Sequence, residues 1–590
     1  MGYSYDTDAL GDIAPRSAAL FGDAPALAMS IGEAISYNDL DRLSLRTAVA
    51  LARLGIAKGD RVALISENRP EWGIASLGIA RAGAVAVPIL IDFTAEQIGN
   101  ILAHSGSRAA FVSARLKRKL ETAPPRGEVP RGEGPRLLAI EELSKDESAE
   151  RGADLAPPSP LPRAESGDLA AIVYTSGTTG LSKGVMLTHR NFIADALACD
   201  SVIRLDGQDL LLSILPLAHS YEYTIGFLIP MMSGACVRYL ERPPSASALL
   251  PALASLRPTI MLSVPMVIEK VYRSSVEPAL GKIALCKIPP LRPVFEWLAG
   301  LKLKKTFGGR LRFFGIGGAP LDPDVERFLL HARFPYAIGY GLTETAPIIA
   351  AAAVGKTKVK VAGPPLAGAD IRIAGSADSS PGAMGEIQVR GPMVGPGYYR
   401  DAARTAEAFT QDGYFRTGDL GSFDSRRRLS VRGRLKTVIL GASGENIYPE
   451  EVEAVINASP YVAESLVYDD DAGLAALIQL KPEVLEELSA YVKEGEGGAE
   501  KAAGRFGQAV GSAIRWATQE VSAAGRAADE AISSAELYIE EAAAPLLERV
   551  KKETNCRLAA FSRLASVELQ AEPFEKTPTQ KIKRFLYPKK

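Results

Sequence analysis

Between Leu40 and Ser113, short apolar runs alternate with amphipathic stretches of helical period. A helix-like TAVALARLG closed by Gly55 is followed by strand-like RVALIS, a helix from Glu71, strand-like AVAVPIL, a helix from Ala95 and the run AAFV. That order predicts repeated β/α winding around a mixed or parallel sheet, because strands covered by helices on both faces are apolar throughout. The alternation resumes at Leu169 and continues through LRFFGIG, DPDVERFLLHA and PYAIGY. Ligands on such sheets gather beyond the carboxyl ends of strands, where the glycine-rich segments of this chain fall.

With 590 residues, the chain exceeds one hydrophobic core, and more than one domain is expected. The fold class is α/β, with an N-terminal domain over 1–435 made of β/α-wound sheets and a small β subdomain. The β runs GEIQVR, GSFDS, RLSVRGR and TVILG mark that subdomain past Ile373 and lead to a junction near Lys436. A smaller, mobile α/β domain over 436–590 follows, with PEEVEAVINA as helix and ESLVYDD and LAALIQL as strands. The proline- and charge-rich stretch from Thr122 to Ser166 is expected as a surface excursion. An Ala- and Glu-rich stretch of about 483–553 is predicted helical throughout, with Phe506, Val510, Ile514 and Val521 at helical spacing. It forms either a hairpin packed on its own domain or a face for a membrane or partner.

The 68 basic and 69 acidic residues leave a formal charge of -1, with no global excess to suggest nucleic acid. Four cysteines and four histidines are scattered without CxxC pairs or metal-ligand spacing, which fits a reducing compartment. The start MGYSYDTDALGD has acids where a secretion signal needs a basic then apolar stretch. The apolar window Leu210 to Met232 carries His219, Glu222 and two prolines, so no membrane span is predicted. A cytoplasmic protein is expected, with any membrane contact peripheral, on the inner face.

The segment YTSGTTGLSKGVMLTH, Tyr174 to His189, has the make-up of a polyphosphate cradle. Gly177 and Gly180 let backbone N–H groups turn toward a ligand, Thr175, Ser176, Thr178 and Thr179 add hydroxyl donors, and Lys183 adds a positive charge. It is not a Walker A loop: the second glycine of that pattern would fall at Ser182, and Gly184 stands where Ser or Thr is required. The bland alternative is a flexible linker. YGLTET, Tyr340 to Thr345, YFRTGDLG, Tyr414 to Gly421, and KTPTQKIKR, with its segment 577–584, read singly as a capped turn, a turn-forming Asp and a solvated basic tail.

Together and in this order, these motifs resemble those of the adenylate-forming (ANL) superfamily, in its long-chain fatty acyl-CoA synthetase branch. The resemblance implies roles for particular residues. Thr175 to Gly180 and Lys183 hold the phosphates of ATP; Gly318, Ala319 and Pro320 of GIGGAP form a wall against the adenine; Tyr340 stacks on it beside Gly341. Thr343 holds the α-phosphate and Glu344 ligates Mg²⁺, which a hard carboxylate oxygen suits. Asp419 grips the ribose hydroxyls with Arg434; Lys436, in RGRLKTVILGASGENIYPEEVE, is the hinge; Gly441, Gly444 and Glu445 approach the pantetheine channel; Lys581 is the catalytic lysine. The usual glycine before that lysine is Gln580 here.

The activity implied is ATP-dependent conversion of a fatty acid to acyl-AMP with release of pyrophosphate, then transfer to coenzyme A. An acyl-AMP ligase, transfer to a carrier protein, and a non-catalytic nucleotide-binding scaffold remain as alternatives. The segment Leu215 to Tyr239 resembles the acyl-pocket and gate region of long-chain synthetases, with His219 at the gate and Gly226 and Gly234 bordering a tunnel, or else an ordinary core helix. Between Gly281 and Arg312 stand eight basic residues and only Glu296 as an acid, interleaved with aromatic and aliphatic residues. That strip is either solvated surface or a contact for an anionic bilayer.

Overall fold

The computed structural model describes residues 9–121, 134–145, 160–175, 183–375, 381–440, 446–470, 473–486, 488, 535–577 and 582–587. Contacts divide the chain into two compact units, Met1–Thr417 with Gly421–Val431, and Gly418–Leu420 with Arg432–Lys590.

The first unit is built on the predicted winding. Strands Arg61–Ile65, Val85–Pro88 and Ala109–Val112 pair in parallel and are almost wholly buried, as expected of strands covered on both faces. Local chemistry sets the helices between them. Ser36 and Asp39 form a capping box at the start of Tyr37–Arg53, Pro70 opens Pro70–Arg81, and Thr94 with Gln97 caps Ala95–Ser105, which Gly106 ends in the left-handed region. The complete sheet has seven strands, ordered Gly397–Tyr398, Lys183–Thr188, Leu169–Thr175, Val85–Pro88, Arg61–Ile65, Ala109–Val112 and Arg136–Ala139.

A second sheet has eight strands. Its centre is parallel, running from Tyr336–Tyr340 through Phe313–Ile316, Ile260–Ser263, Leu210–Ser213 and Cys236–Tyr239 to Pro25–Met29, with antiparallel edges Ala350–Ala352 and Ile35–Ser36. Helix Pro70–Arg81 is buried over Pro70 to Ala80, and Trp72 meets Tyr223 and Phe227 edge-on at 5.6 and 6.4 Å. A small four-stranded sheet orders Asp370–Ile373, Gly385–Arg390, Phe415–Phe423 and Leu429–Arg434.

Beyond the glycine-rich segment, Lys183–Thr188 is a strand antiparallel to Leu169–Thr175, and helix His189–Ala198 follows it, capped by Thr188. Thr175 and Lys183 are ladder partners, so the segment leaves and returns at one point. The stretch read as a surface excursion also supplies an edge strand, Arg136–Ala139, and Ile140 beside it is fully buried. An apolar tetrapeptide inside a proline-rich context carries too weak a period to be seen.

In the second unit, strands Val462–Asp470, Gly473–Leu480 and Ser566–Leu569 form one sheet, and Ile439–Leu440 pairs with Asn446–Ile447. Helix Pro449–Asn457 and helix Ala535–Asn555 share its core through Val452, Ile456, Leu546, Leu547 and Val550. Of the stretch predicted helical over about 483–553, residues 483–486, 488 and 535–553 are helical; Phe506, Val510, Ile514 and Val521 lie outside the described residues. No helix among the described residues is long and apolar enough to cross a membrane.

Deleting the Trp72 side chain leaves an aromatic-sized cavity beside Tyr223 and Phe227. Trp72→Ala is expected to cost about 3–5 kcal/mol, read as a lowered urea midpoint of unfolding.

Candidate active site

Lys183 begins its strand at the point where the ladder rejoins Thr175, and its side chain reaches Glu344. Lys183 Nζ donates to Glu344 Oε1 at 2.6 Å and to the Tyr398 hydroxyl oxygen at 3.1 Å, while the Tyr398 hydroxyl donates to the same Oε1 at 2.9 Å. The ammonium also lies 4.6 Å from the centre of the Tyr398 ring. Glu344 is buried, which alone would raise its carboxyl; the Lys183 charge and the hydrogen bonds of Lys183 and Tyr398 outweigh burial and hold it below the usual range. The site therefore keeps an ionised carboxylate and a cation side by side in a sheltered place.

Glu344 sits in the short turn Thr343–Thr345 beyond strand Tyr336–Tyr340. Its loop is fixed from several sides. Thr224 Oγ1 donates to Ala346 O at 2.8 Å, Ile348 N to Asp195 Oδ1 at 3.2 Å, and Gly395 N to Glu344 O at 2.9 Å. A Cβ on Gly341 would lie 1.9 Å from Pro347 O, so only glycine lets the loop fold on itself. Tyr340 and Thr343 are half-buried. One strand over, Gly318, Ala319 and Pro320 are exposed just past strand Phe313–Ile316, which pairs in parallel with Tyr336–Tyr340. They and Tyr340 thus share the carboxyl-end edge of the sheet. Thr175 Oγ1 is buried without a hydrogen-bond partner among the described residues. Ser176, Gly177, Thr178, Thr179 and Gly180 lie outside those residues.

Beside the same loop is a small apolar pocket of about 20 Å³, lined by Tyr221, Ile225, Leu262, Phe313, Ile338 and Ile348 among others. Glycines keep it open: a Cβ on Gly315 would come within 2.9 Å of the Tyr221 hydroxyl, and one on Gly339 within 3.2 Å of Ile348. His219 is half-buried, and its Nδ1 accepts from Tyr221 N at 3.2 Å. Gly226 and Gly234 are placed by packing. A Cβ on Gly226 would meet the Glu222 carboxyl at 2.7 Å, and Gly234, with φ +78°, ends helix Ile229–Ser233 against the Phe21 ring. Glu222 is fully buried, and burial pushes its carboxyl up to about 8 despite the hydrogen bond from Ser213 Oγ.

In the second unit, Arg434 Nε pairs with buried Asp419 at 2.8 Å. Lys436 is exposed in the turn Leu435–Thr437, and Thr437 Oγ1 donates to Glu450 Oε1 at 2.9 Å. Arg584 pairs with Glu453, whose carboxyl burial raises to about 7 even against the Arg584 charge. Lys581, Gly441, Gly444 and Glu445 lie outside the described residues. Sequence motifs missed Tyr398 altogether, because its position depends on a two-residue edge strand, Gly397–Tyr398, paired with Met186 and Val185.

Residues 15–399, which hold the whole Lys183–Glu344–Tyr398 cluster, match the family of AMP-binding enzymes. This chain belongs to the AMP-binding enzyme family. Within it, the long-chain-fatty-acid–CoA ligase FadD15 of Mycobacterium bovis is 34% identical over 477 residues, 74% of this chain and 76% of that one. The peroxisomal long chain acyl-CoA synthetase 7 of Arabidopsis thaliana is 30% identical over 526 residues, 81% of this chain and 71% of its own. Among solved structures, ATP-bound MatB from Rhodopseudomonas palustris superposes with a TM-score of 0.71 at 22% identity over 98% of both chains. The Bacillus subtilis O-succinylbenzoate coenzyme A synthetase MenE, in complex with ATP and magnesium, gives 0.67 at 22% identity over 97% and 98% of the two chains. These structures speak for a shared fold.

Glu222 gives this AMP-binding enzyme a pH signature of its own. A carboxyl raised from 4.5 to about 8 keeps its proton in the fold and loses it in the unfolded chain, so stability falls as pH rises across that window and levels above it. Glu222→Gln is expected to flatten that fall and to gain on the unmutated protein between pH 5 and pH 8, read from urea midpoints.

Proposed function

We propose that this enzyme is a long-chain fatty acid–CoA ligase that joins a fatty acid to AMP, releases pyrophosphate, and passes the acyl group to coenzyme A. What carries the proposal is one loop, Tyr340 to Ile349, with an ion-paired carboxylate on it and an apolar pocket beside it. The substrate needs both environments: its carboxylate must meet a phosphorus atom while its chain leaves water. Each methylene buried in such a pocket favours binding by about 0.8 kcal/mol.

A carboxylate is a poor electrophile because its leaving group would be oxide, and the mixed anhydride with AMP removes that obstacle. Negative charge builds on the α-phosphate and the departing pyrophosphate. In this reading Lys183 turns from Glu344 toward the phosphates, and Thr175, Ser176, Thr178 and Thr179 with Gly177 and Gly180 donate to them. Glu344 is the metal donor: an ionised, sheltered carboxylate oxygen fits Mg²⁺. Bound there with phosphate oxygens and water, Mg²⁺ would supply charge neutralisation. Tyr398 positions Glu344 and Lys183 through its hydroxyl. Tyr340, Gly341, Gly318, Ala319 and Pro320 take the adenine, and Thr343 takes the α-phosphate.

Motif resemblance assigns Asp419 and Arg434 to the ribose, Lys436 to the hinge of a mobile C-terminal domain, Lys581 to adenylation, and Gly441, Gly444 and Glu445 to the pantetheine path. The same resemblance assigns His219 to the gate of the acyl pocket. Coenzyme A thiol then attacks the acyl carbonyl, and AMP leaves.

Fatty-acid-dependent pyrophosphate release, followed by thioester formation with free coenzyme A, is the expected activity. Thioester on a holo carrier protein but not on free coenzyme A would reassign the acceptor, and no pyrophosphate release from any chain length would overturn the proposal. Lys581→Ala is expected to lower adenylation at least about a hundredfold while sparing thioester formation from supplied acyl adenylate. Tyr398→Phe, which keeps the ring and removes the hydroxyl, is expected to shift the Mg²⁺ dependence of adenylation to higher concentration, read by titration at fixed ATP.

A further inference from the structure

The segment ENRPEW, Glu67 to Trp72, takes no part in the chemistry proposed above, yet its side chains converge on one stretch of the other sheet. Asn68 stands just past the carboxyl end of strand Arg61–Ile65 and reaches the turn that follows strand Leu210–Ser213. Its Nδ2 donates to Leu215 O at 2.6 Å and to Ser213 Oγ at 3.1 Å, and its Oδ1 accepts from Leu217 N at 2.8 Å. Only this orientation of the amide satisfies the turn: reversed, Nδ2 would face the Leu217 N–H and Oδ1 the Leu215 carbonyl. Ser213 accepts from Asn68 and donates to Glu222 Oε1, so one chain of bonds runs from Asn68 to the buried carboxyl.

Helix Pro70–Arg81 holds the far end of the same stretch. Trp72, Gly73 and Ser76 share one of its faces. Trp72 meets Tyr223 and Phe227, Ser76 Oγ lies 2.9 Å from the Tyr223 hydroxyl, and a Cβ on Gly73 would come within 2.7 Å of the Phe227 ring. Arg69 pairs with Glu71 at 2.9 Å and with Glu141 at 2.8 Å, which ties the helix start to the turn Ile140–Leu143. The stretch is therefore gripped over Ser213 to Leu217 by one side chain and over Tyr223 to Phe227 by a helix face. His219 and Tyr221 lie between the grips, and Tyr221 and Ile225 line the apolar pocket.

We propose that Asn68 is a positioning residue for the organic acid: it fixes the turn after Leu210–Ser213, and with it the Tyr221 wall of the pocket that takes the acyl chain. The identity of the acid rests on the ligase proposal. Without Asn68, Leu215 O and Leu217 N lose their partner and the turn must move to find others. A pocket of about 20 Å³ has no slack, so a shift of its wall changes what fits. Among the described residues, none of the Asn68 hydrogen bonds goes to Lys183, Glu344 or Tyr398. Affinity for the acid thus depends on Asn68, and affinity for ATP does not.

The test is Asn68→Asp, which keeps the shape and the acceptor for Leu217 N but removes both donors. In pyrophosphate release by the full chain, KM for palmitate is expected to rise about tenfold, with KM for ATP and kcat within about twofold of unmutated. Hydrogen exchange over residues 213–219 is expected to quicken, and exchange over helix His189–Ala198 to stay as it was. Val62→Ala, a cavity in the fully buried strand Arg61–Ile65, controls for lost stability and is expected to leave both KM values unchanged. An unchanged KM for palmitate, an equal rise in both KM values, unaltered exchange over 213–219, or the same split in Val62→Ala would each overturn the role of Asn68. Those results leave pyrophosphate release by the unmutated enzyme intact, whereas failure of the ligase proposal removes it.

Discussion

A carboxylate in the interior stays ionised only beside a cation, and Glu344 has Lys183 at 2.6 Å. The two arrive from different sheets. Lys183 opens a strand of the seven-stranded sheet, and Glu344 follows a strand of the eight-stranded one. Tyr398, on the edge strand beside Lys183, closes the triangle. This contact therefore sets where the end of one sheet lies against the other, and the loop between Tyr340 and Ile349 inherits its position. Losing Lys183 would do more than delete a charge: it would strand a buried anion and release the loop.

The loop's second constraint is the apolar pocket. Gly339 and Ile348, which flank it, both line that pocket, and Thr224 and Asp195 hold its backbone from the helices beneath. Chemistry on a fatty acid needs a polar reacting end within a few ångströms of an apolar chain site, and one loop whose ends line a pocket while its tip carries an ion pair meets that need. The segment Glu222–Leu228 is buried throughout, and the hydrogen bonds of Glu222, Tyr223 and Thr224 with Ser213, Ser76 and Ala346 stiffen it. The pocket wall and the Glu344 loop are thus parts of a single packed unit.

Much of the fold was legible because local signals agree with global winding. The all-apolar strands and the helices read from Glu71 and Ala95 pointed the same way, and the structure adds capping boxes at Ser36 and Thr94 and Pro70 at a helix start that agree with them. Illegible features have partners far away in sequence. Lys183–Thr188 reads as an amphipathic run, and only pairing with Leu169–Thr175 and Gly397–Tyr398 makes it a central strand. Tyr398 is 215 residues from Lys183, so no spacing rule finds it. Gly226 and Gly234 were legible as small residues near an apolar segment, but not as room for the Glu222 carboxyl and the Phe21 ring. Lys183, Glu344, Tyr340 and Gly341 were picked out by motif, and the structure brings Lys183 of one sheet to the loop that carries Tyr340, Gly341 and Glu344 at the end of the other.

Helix Arg292–Thr306 carries the same point further. Helical period finds two faces on it, one with Val294, Trp297, Leu298 and Leu301 and one with Phe295, Glu296, Ala299, Gly300 and Leu303. Packing buries the second, because Gly300 is the position that lets the helix approach Ala332, and Arg292 and His331 neutralise Glu296 where it lands. Close approach at a glycine and two charge partners for the acid outweigh the apolar area left outside. A fold that leaves tryptophan and three aliphatic side chains in water forgoes roughly 1.5–3 kcal/mol for each large side chain it could have buried.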